Sequence, residues 1–244
     1  MAAAGDIGTR RWLLVSDIDD TLTGDDAAMG VLGEALLAGR DRLWFAVNSS
    51  RPLASVSATL TDVFPASLVP DAVITALGTE VAMGGGPLPG WQDRFAGWPQ
   101  TEIYSRIAAL GHAPHAAIYN TAFKVSFAVP QEAQAEVRAA LEGLPCRIIA
   151  SGTDDFDVIP PNAGKGAAAL HLAEVLGVAE ENLLVAGDSG NDLAMFGVSK
   201  AGIAVGNARA ELVEALPAGS FYHAKAPHAG GVLEGLRHYG VLPQ

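Results

Sequence analysis

Short, mostly apolar runs alternate along this chain with stretches whose apolar residues recur at helical spacing. Trp12 to Val15, Leu43 to Val47 and Ala72 to Thr75 have the pattern of strands buried on both faces, and amphipathic segments from Met29 to Ala38 and from Pro52 to Thr61 lie between them. The alternation resumes after residue 160, with a predicted helix over Lys165 to Leu176, a strand over Asn182 to Ala186 and a helix over Asn191 to Phe196. A strand over Gly202 to Val205 and a helix over Ala208 to Leu216 complete it. Strand and helix in alternation predict an α/β fold, a Rossmann-like parallel sheet with helices on its faces.

The texture changes between the two halves. A breaker cluster, Gly84-Gly85-Gly86-Pro87-Leu88-Pro89-Gly90, precedes a helix over Glu102 to Leu110, a strand over Lys124 to Val129 and a helix over Gln131 to Glu142. Strands over Cys146 to Ala150 and Phe156 to Ile159 follow, and Pro160-Pro161 ends the segment. The pattern predicts a small α+β cap at 84–159, inserted into a core made of 1–83 and 160–244. The glycine triplet lacks the Lys-Ser/Thr of a P-loop and the spacing of a dinucleotide turn, so a hinge or hairpin loop is the expected role.

Composition narrows the partners. With 50% hydrophobic and 17% charged residues in 244, the chain can bury a core and is too weakly charged for a disordered polymer. Fifteen Lys and Arg against 27 Asp and Glu leave a formal charge of −12, an acidic field that repels nucleic acid and anionic membranes. The start, Met1 to Arg11, lacks the apolar run of a secretory signal, and nowhere do about 18 apolar residues run together, so a cytoplasmic protein is expected. The single cysteine, Cys146, excludes an internal disulfide and a Cys-rich zinc site, and reads as a small packing residue. No pair among the six histidines has a zinc-helix spacing; His112 and His115 in the cap, and His223 and His228 near the C-terminus, read as surface or substrate-rim residues.

Four segments carry candidate chemistry. The first strand runs into Ser16-Asp17-Ile18-Asp19-Asp20-Thr21, where clustered carboxylates repel one another at the strand end that binds ligands in open α/β sheets. Such a cluster calls for a hard cation such as Mg²⁺, which takes few carboxylates and keeps phosphate oxygens among its ligands. After the second strand, Ser49 and Ser50 precede a helix with Pro52 at its first position; this is an anion site or an ordinary helix start. Lys165, in the first turn of its helix between Gly164 and Gly166, faces the positive end of the macrodipole and calls for an anion. In Gly187-Asp188-Ser189-Gly190-Asn191-Asp192, Ser189 and Asp192 fit a capping box, while Asp188 has no cap to make and is the better metal ligand. Together these predict a cation-plus-phosphate site in which an aspartate attacks phosphorus, the cation and Lys165 disperse charge, and a second carboxyl moves protons.

These residues resemble the four motifs of the haloacid dehalogenase superfamily, in order: Asp17-Ile18-Asp19-Asp20-Thr21, Ser49, Lys165, and Gly187 through Asp192. Within it the chain is similar to bacterial and plant sucrose-phosphate phosphatases along nearly its whole length, through Leu14 to Thr21 with Gly24-Asp25, Thr75 to Val81, Lys124 to Phe127, and His228 to Glu234. The resemblance implies a Mg²⁺-dependent sugar phosphatase with Asp17 as nucleophile and Asp19 as general acid/base. It implies Asp17, Asp19 (through its carbonyl), Asp188 and the supporting Asp192 around the metal, and Ser49, Ser50, Lys165 and Asn191 on phosphate. Tyr119, Asn120 and Lys124 are polar candidates for sugar hydroxyls.

Ser49-Ser50-Arg51 departs from the family's Thr-Gly-Arg, and the segment from His112 to Asn120 is diverged. Sucrose-6-phosphate is therefore the expected substrate beside two alternatives, mannosylfructose phosphate and a glycosyl phosphoglycerate. Phosphomannomutase-like transfer and a receiver-type signalling module are the rival classes. A monomer is expected, with the upstream glycosyltransferase as a protein partner.

Overall fold

The computed structural model describes residues 11–244; the Ala- and Gly-rich start read above for a missing signal falls almost wholly outside the described residues. Five strands come first: β1 (Trp12–Ser16), β2 (Leu43–Asn48), β3 (Ala72–Thr75), β4 (Glu80–Met83) and β5 (Gly86–Pro87). Then come β6 (Ala113–Pro114), β7 (Val125–Ala128), β8 (Arg147–Ser151) and β9 (Asp155–Ile159), and last β10 (Leu183–Gly187), β11 (Ala201–Ala204) and β12 (Phe221–His223). The helices are α1 (Asp26–Ala38), α2 (Leu53–Asp62), α3 (Gln100–Ala109), α4 (Gln134–Ala140), α5 (Lys165–Leu176), α6 (Leu193–Phe196), α7 (Ala210–Ala215) and α8 (His228–His238).

An eight-stranded sheet runs β12-β11-β10-β1-β2-β3-β4-β5. It is parallel from β12 to β3 and antiparallel at β4 and β5. The period of two that strands impose divides β1 between two apolar layers. Leu13 and Val15 face Ala168, Ala169 and Leu172 of α5, whereas Leu14 faces Met29 and Leu32 of α1 and Val232 and Leu236 of α8. Each such fully buried side chain contributes about 1.5–3 kcal/mol over leaving it in water.

The second sheet, β6-β7-β9-β8, is antiparallel throughout. Val125 and Phe127 of β7 and Phe156 and Val158 of β9 pack under Ile103 and Ile107 of α3 and Val137 of α4. The intervening Ser126 and Asp157, which lie opposite each other in register, therefore point to the other face, and Asp155 lies on that face too.

Several details correct the expectations. Gly84 and Gly85 form the turn of the β4–β5 hairpin, the second of the two roles expected for the cluster, but Gly86 and Pro87 pair on the large sheet instead of opening the cap. Gly84 and Gly85 take φ of +63° and +83° there. Pro52 is the residue before α2, one position earlier than read. α1 begins at Asp26 because the Asp25 carboxylate accepts from Ala28 N at 2.9 Å. The single helix expected over Gln131 to Glu142 is a 3₁₀ turn at Gln131–Ala133 followed by α4, and α8 was not anticipated as a helix.

Candidate active site

Parallel strands bring their carboxyl ends to one edge, and the chemistry-bearing residues sit there. Asp17 follows β1, Ser49 follows β2 and Asp188 follows β10, while Lys165 is the first residue of α5. The start of α5 is fixed by a close backbone approach. Gly78, at φ +82°, packs so tightly that an added Cβ would lie 2.4 Å from the Gly164 carbonyl carbon and 2.8 Å from Lys165 N.

Lys165 is buried, and its three ammonium protons have three acceptors: Asp17 Oδ1 at 2.6 Å, Asp192 Oδ1 at 2.7 Å and Asn191 Oδ1 at 2.9 Å. Asp192 has both oxygens engaged, because Oδ2 accepts from Asp188 N at 3.1 Å and Ser189 N at 3.3 Å in the expected capping box. Gly187 makes this fit possible, since a Cβ there would meet Asp192 Oδ2 at 2.6 Å. The remaining oxygens are worse served. Asp17 Oδ2 and Asp188 Oδ1 share the single Thr21 hydroxyl, at 3.5 and 3.3 Å.

Burial pushes Asp17 up to about 8, with repulsion from Asp192 and Asp188 adding to it and Lys165 opposing. Burial likewise raises Asp188 to about 6, with Asp192 adding and Arg209 opposing. Burial works against the charge on Lys165, yet Asp17 and Asp192 outweigh it and hold the ammonium above its ordinary value. Ligand atoms of Asp17, Asp188 and Asp192 lie within 4.8 Å of one another. Three buried carboxylates against one ammonium, with under-bonded oxygens on Asp17 and Asp188, fit a hard divalent cation such as Mg²⁺. Asp192, already saturated, fits the role of a support.

The structure distributes the other predicted residues unevenly. The Asp19 carboxylate is half-exposed and lies 2.9 Å from Arg51 Nε, outside the group of three. Arg51 is held in turn by Thr59 Oγ1 at 2.9 Å and Ser55 Oγ at 3.3 Å. Ser49 is buried, with its Oγ accepting from Arg51 N at 3.2 Å, whereas Ser50 lines the cavity above Asp17. That cavity, 190 Å³, is also lined by Asp19, Asp188, Asn191 and Arg209.

A second cavity of 360 Å³ adjoins it under the cap and shares Ser50, Ser151 and Asp155 with it. Tyr119 and Lys124, two of the candidates for sugar hydroxyls, line this cap cavity together with His115, Ser126 and Asp157. Lys124 is buried, paired with Asp157 Oδ2 at 3.1 Å and donating to the Ser50 carbonyl at 3.1 Å. Asn120 is a correction: its amide braces the loop by accepting from Ser126 N at 2.8 Å and donating to the His115 and Ser126 carbonyls at 3.2 and 3.3 Å, so it does not line the cavity. His115 was read only as a rim residue; its Nδ1 lies 2.9 Å from Ser126 Oγ and its Nε2 3.7 Å from Asp155 Oδ1. The polar/apolar alternation of β7 and β9 was the available signal for Ser126, Asp155 and Asp157.

The family model for sucrose-6F-phosphate phosphohydrolase matches residues 10–240. The chain belongs to this family. A probable sucrose-phosphatase of Arabidopsis thaliana is 31% identical over 206 residues, covering 72% of this chain and 46% of that protein. The mannosylfructose-phosphate phosphatase of Agrobacterium fabrum is 42% identical over 113 residues, 45% of this chain and 46% of that one. The matches thus span about half the length of these curated relatives. Family membership extends to the solved structures: the sucrose-phosphatase of Synechocystis sp. PCC6803, in complex with sucrose and phosphate, superposes with a TM-score of 0.87 at 28% identity over 96% of this chain and all of that one. The parallel core with its capping lobe is thereby the haloacid dehalogenase fold. Among the described residues no helix is long and apolar enough to cross a membrane.

Proposed function

We propose that this chain is a phosphatase that hydrolyses a sugar phosphate monoester with Mg²⁺, with sucrose-6-phosphate as the leading substrate. The observation that carries the reading is a pair of adjoining cavities that share Ser50, Ser151 and Asp155: one over buried Asp17 and Asp188, the other under a polar cap face. Domain division follows the same line, with the cap inside 84–159 but without the β4–β5 hairpin and the segment through Phe95, because Gly86–Pro87 pairs on the core sheet and Trp91 and Phe95 pack with Leu13 and Leu172 of the core.

In this reading the phosphate occupies the 190 Å³ cavity and the sugar the 360 Å³ one. Asp17 and Asp188 would hold Mg²⁺, which would neutralise charge on the phosphoryl oxygens and lower the burial cost of the carboxylates. Asp17 attacks phosphorus, the bond to the sugar oxygen breaks, and Asp19 turns from Arg51 to give that oxygen a proton. Asp19 then takes a proton from water as the water oxygen attacks phosphorus, releasing phosphate and restoring Asp17. Ser49, Ser50 and Lys165 bind phosphoryl oxygens. Lys165 is saturated before substrate arrives, so a phosphoryl oxygen replaces one acceptor, and neutral Asn191 is the least costly to exchange.

Mannosylfructose phosphate is the second reading, favoured by the 42% identity to the Agrobacterium enzyme. Phosphate release should be measured from sucrose-6-phosphate, mannosylfructose phosphate, glycosyl phosphoglycerate, trehalose-6-phosphate and mannose-6-phosphate, with Mg²⁺ or EDTA. A preference of about a hundredfold for one disaccharide phosphate, or about 2.7 kcal/mol of differential transition-state binding, identifies the sugar that the cap reads. Uniformly slow release from all five would overturn the disaccharide assignment.

A further inference from the structure

We propose that Asn207 and His228 form a clamp on the turn after the nucleophile and thereby aim Asp19; both are positioning residues, and the inference rests on the phosphatase reading above. Asp20, between Asp19 and Thr21, takes a left-handed backbone at φ +59°. Its carbonyl accepts from Asn207 Nδ2 at 2.7 Å and lies 3.0 Å from His228 Nδ1, so two donors fill its two lone pairs. The donors are locked to each other, because His228 N donates to Asn207 Oδ1 at 2.8 Å. His228 is itself left-handed, at φ +51°. Its ring occupies the space beside Gly24, where a Cβ would come within 2.5 Å of His228 Cε1.

Aspartate tolerates a left-handed conformation better than most residues but still at a cost, so its surroundings decide whether it keeps one. Here that support comes from the loop after β11 and the first residue of α8, far away in sequence. Without it the peptide after Asp20 is free to rotate toward the right-handed region, and the neighbours respond unequally. Downstream, Leu22 N and Thr23 N donate to the Ile18 carbonyl at 2.9 and 3.1 Å, and Thr21 Oγ1 reaches Asp17 and Asp188. Upstream, Asp17 N donates to the Ala186 carbonyl at 2.9 Å. The nucleophile and Thr21 are thus anchored from elsewhere, whereas Asp19 is half-exposed and tied at its carboxylate to Arg51, 2.9 Å away, so Asp19 takes up the displacement.

Leaving-group chemistry isolates this effect in the first half of the reaction. A sugar alkoxide departs only with a proton from Asp19, whereas p-nitrophenolate leaves without one; hydrolysis of the aspartyl phosphate then needs Asp19 as base for either ester. Leaving-group release in a single turnover, before that hydrolysis, should therefore be compared for sucrose-6-phosphate and p-nitrophenyl phosphate in the wild type, N207A, H228A, H228N and D19N, with circular dichroism on each. N207A and H228A should slow release of the sugar at least about tenfold while release of nitrophenolate stays within about twofold, and D19N should show the same split more strongly. H228N carries an amide nitrogen near the Nδ1 position and tolerates left-handed backbone, so it should recover to within about threefold of wild type.

Equal loss on both substrates, no loss on either, or H228N as impaired as H228A would overturn the clamp. A wild type that cleaves neither ester removes the phosphatase reading and the clamp with it. A D19N variant without the split removes the acid role of Asp19 and likewise the clamp.

Discussion

Lys165 stands in the first turn of α5, where the macrodipole disfavours a cation by roughly 0.3–1 kcal/mol, and it is buried as well. Its three acceptors more than offset that, and two of them are carboxylates that would otherwise face each other unscreened. Lys165→Ala should therefore abolish turnover and, in EDTA, cost about 3–5 kcal/mol in urea denaturation, with part of the loss returned by Mg²⁺. Asp17 gives a pH dependence of definite sign. Its carboxyl titrates near 8 in the fold and near 3.8 as an ordinary carboxylate, so between those values the folded protein binds more protons than the unfolded one. Asp188, raised to about 6, adds to the same trend. Stability in EDTA should fall as pH rises from 5 to 8, and the gain from Mg²⁺ should be larger at pH 8 than at pH 5. A metal increment independent of pH would contradict the burial of charge described for the site. At this scale the sequence was highly informative: residue types at strand ends pointed to Asp17, Lys165 and Asp188. The ion pair between Asp19 and Arg51 was not legible, because it depends on side-chain reach across a cavity.

Elements convert those residues into a geometry. The segment from Thr75 to Val81 resembled its family without an evident reason, and the reason is the contact of Gly78 with the Gly164–Lys165 backbone. Gly78→Ala adds a Cβ at a positive φ against that backbone and should destabilise by about 2 kcal/mol or more, with turnover falling at least about tenfold as α5 and Lys165 shift. Thermal melts and steady-state rates check both. The capping box of Ser189 and Asp192 was legible because its spacing is local. For the β4–β5 hairpin a hinge or hairpin loop was legible, but not its place on the large sheet, since breaker residues mark a turn without saying which sheet its arms join. The polar face of the cap could be read from the alternation in β7 and β9 only once both strands were known to turn the same face inward.

The whole molecule joins an acidic edge of a parallel core to the polar underside of a cap. Lys124 spans the two, reaching from the cap to the Ser50 carbonyl of the core. The fold class and the existence of an insert were legible because strand and helix alternate at either end of the chain and change texture between. The meeting of cap and core was not, because it rests on contacts between residues far apart in sequence, such as Ser50 with Lys124. In the proposed reaction Asp17, at the bottom of this joint cavity, attacks phosphorus. That attack is read by mixing the protein with sucrose-6-phosphate or mannosylfructose phosphate and Mg²⁺, quenching in acid and reducing with borohydride, which converts an aspartyl phosphate to homoserine. Mass spectrometry should find homoserine at position 17 in proportion to the phosphoenzyme trapped. Phosphate release with residue 17 unreduced, or reduction at another carboxylate, would rule out Asp17 as the nucleophile.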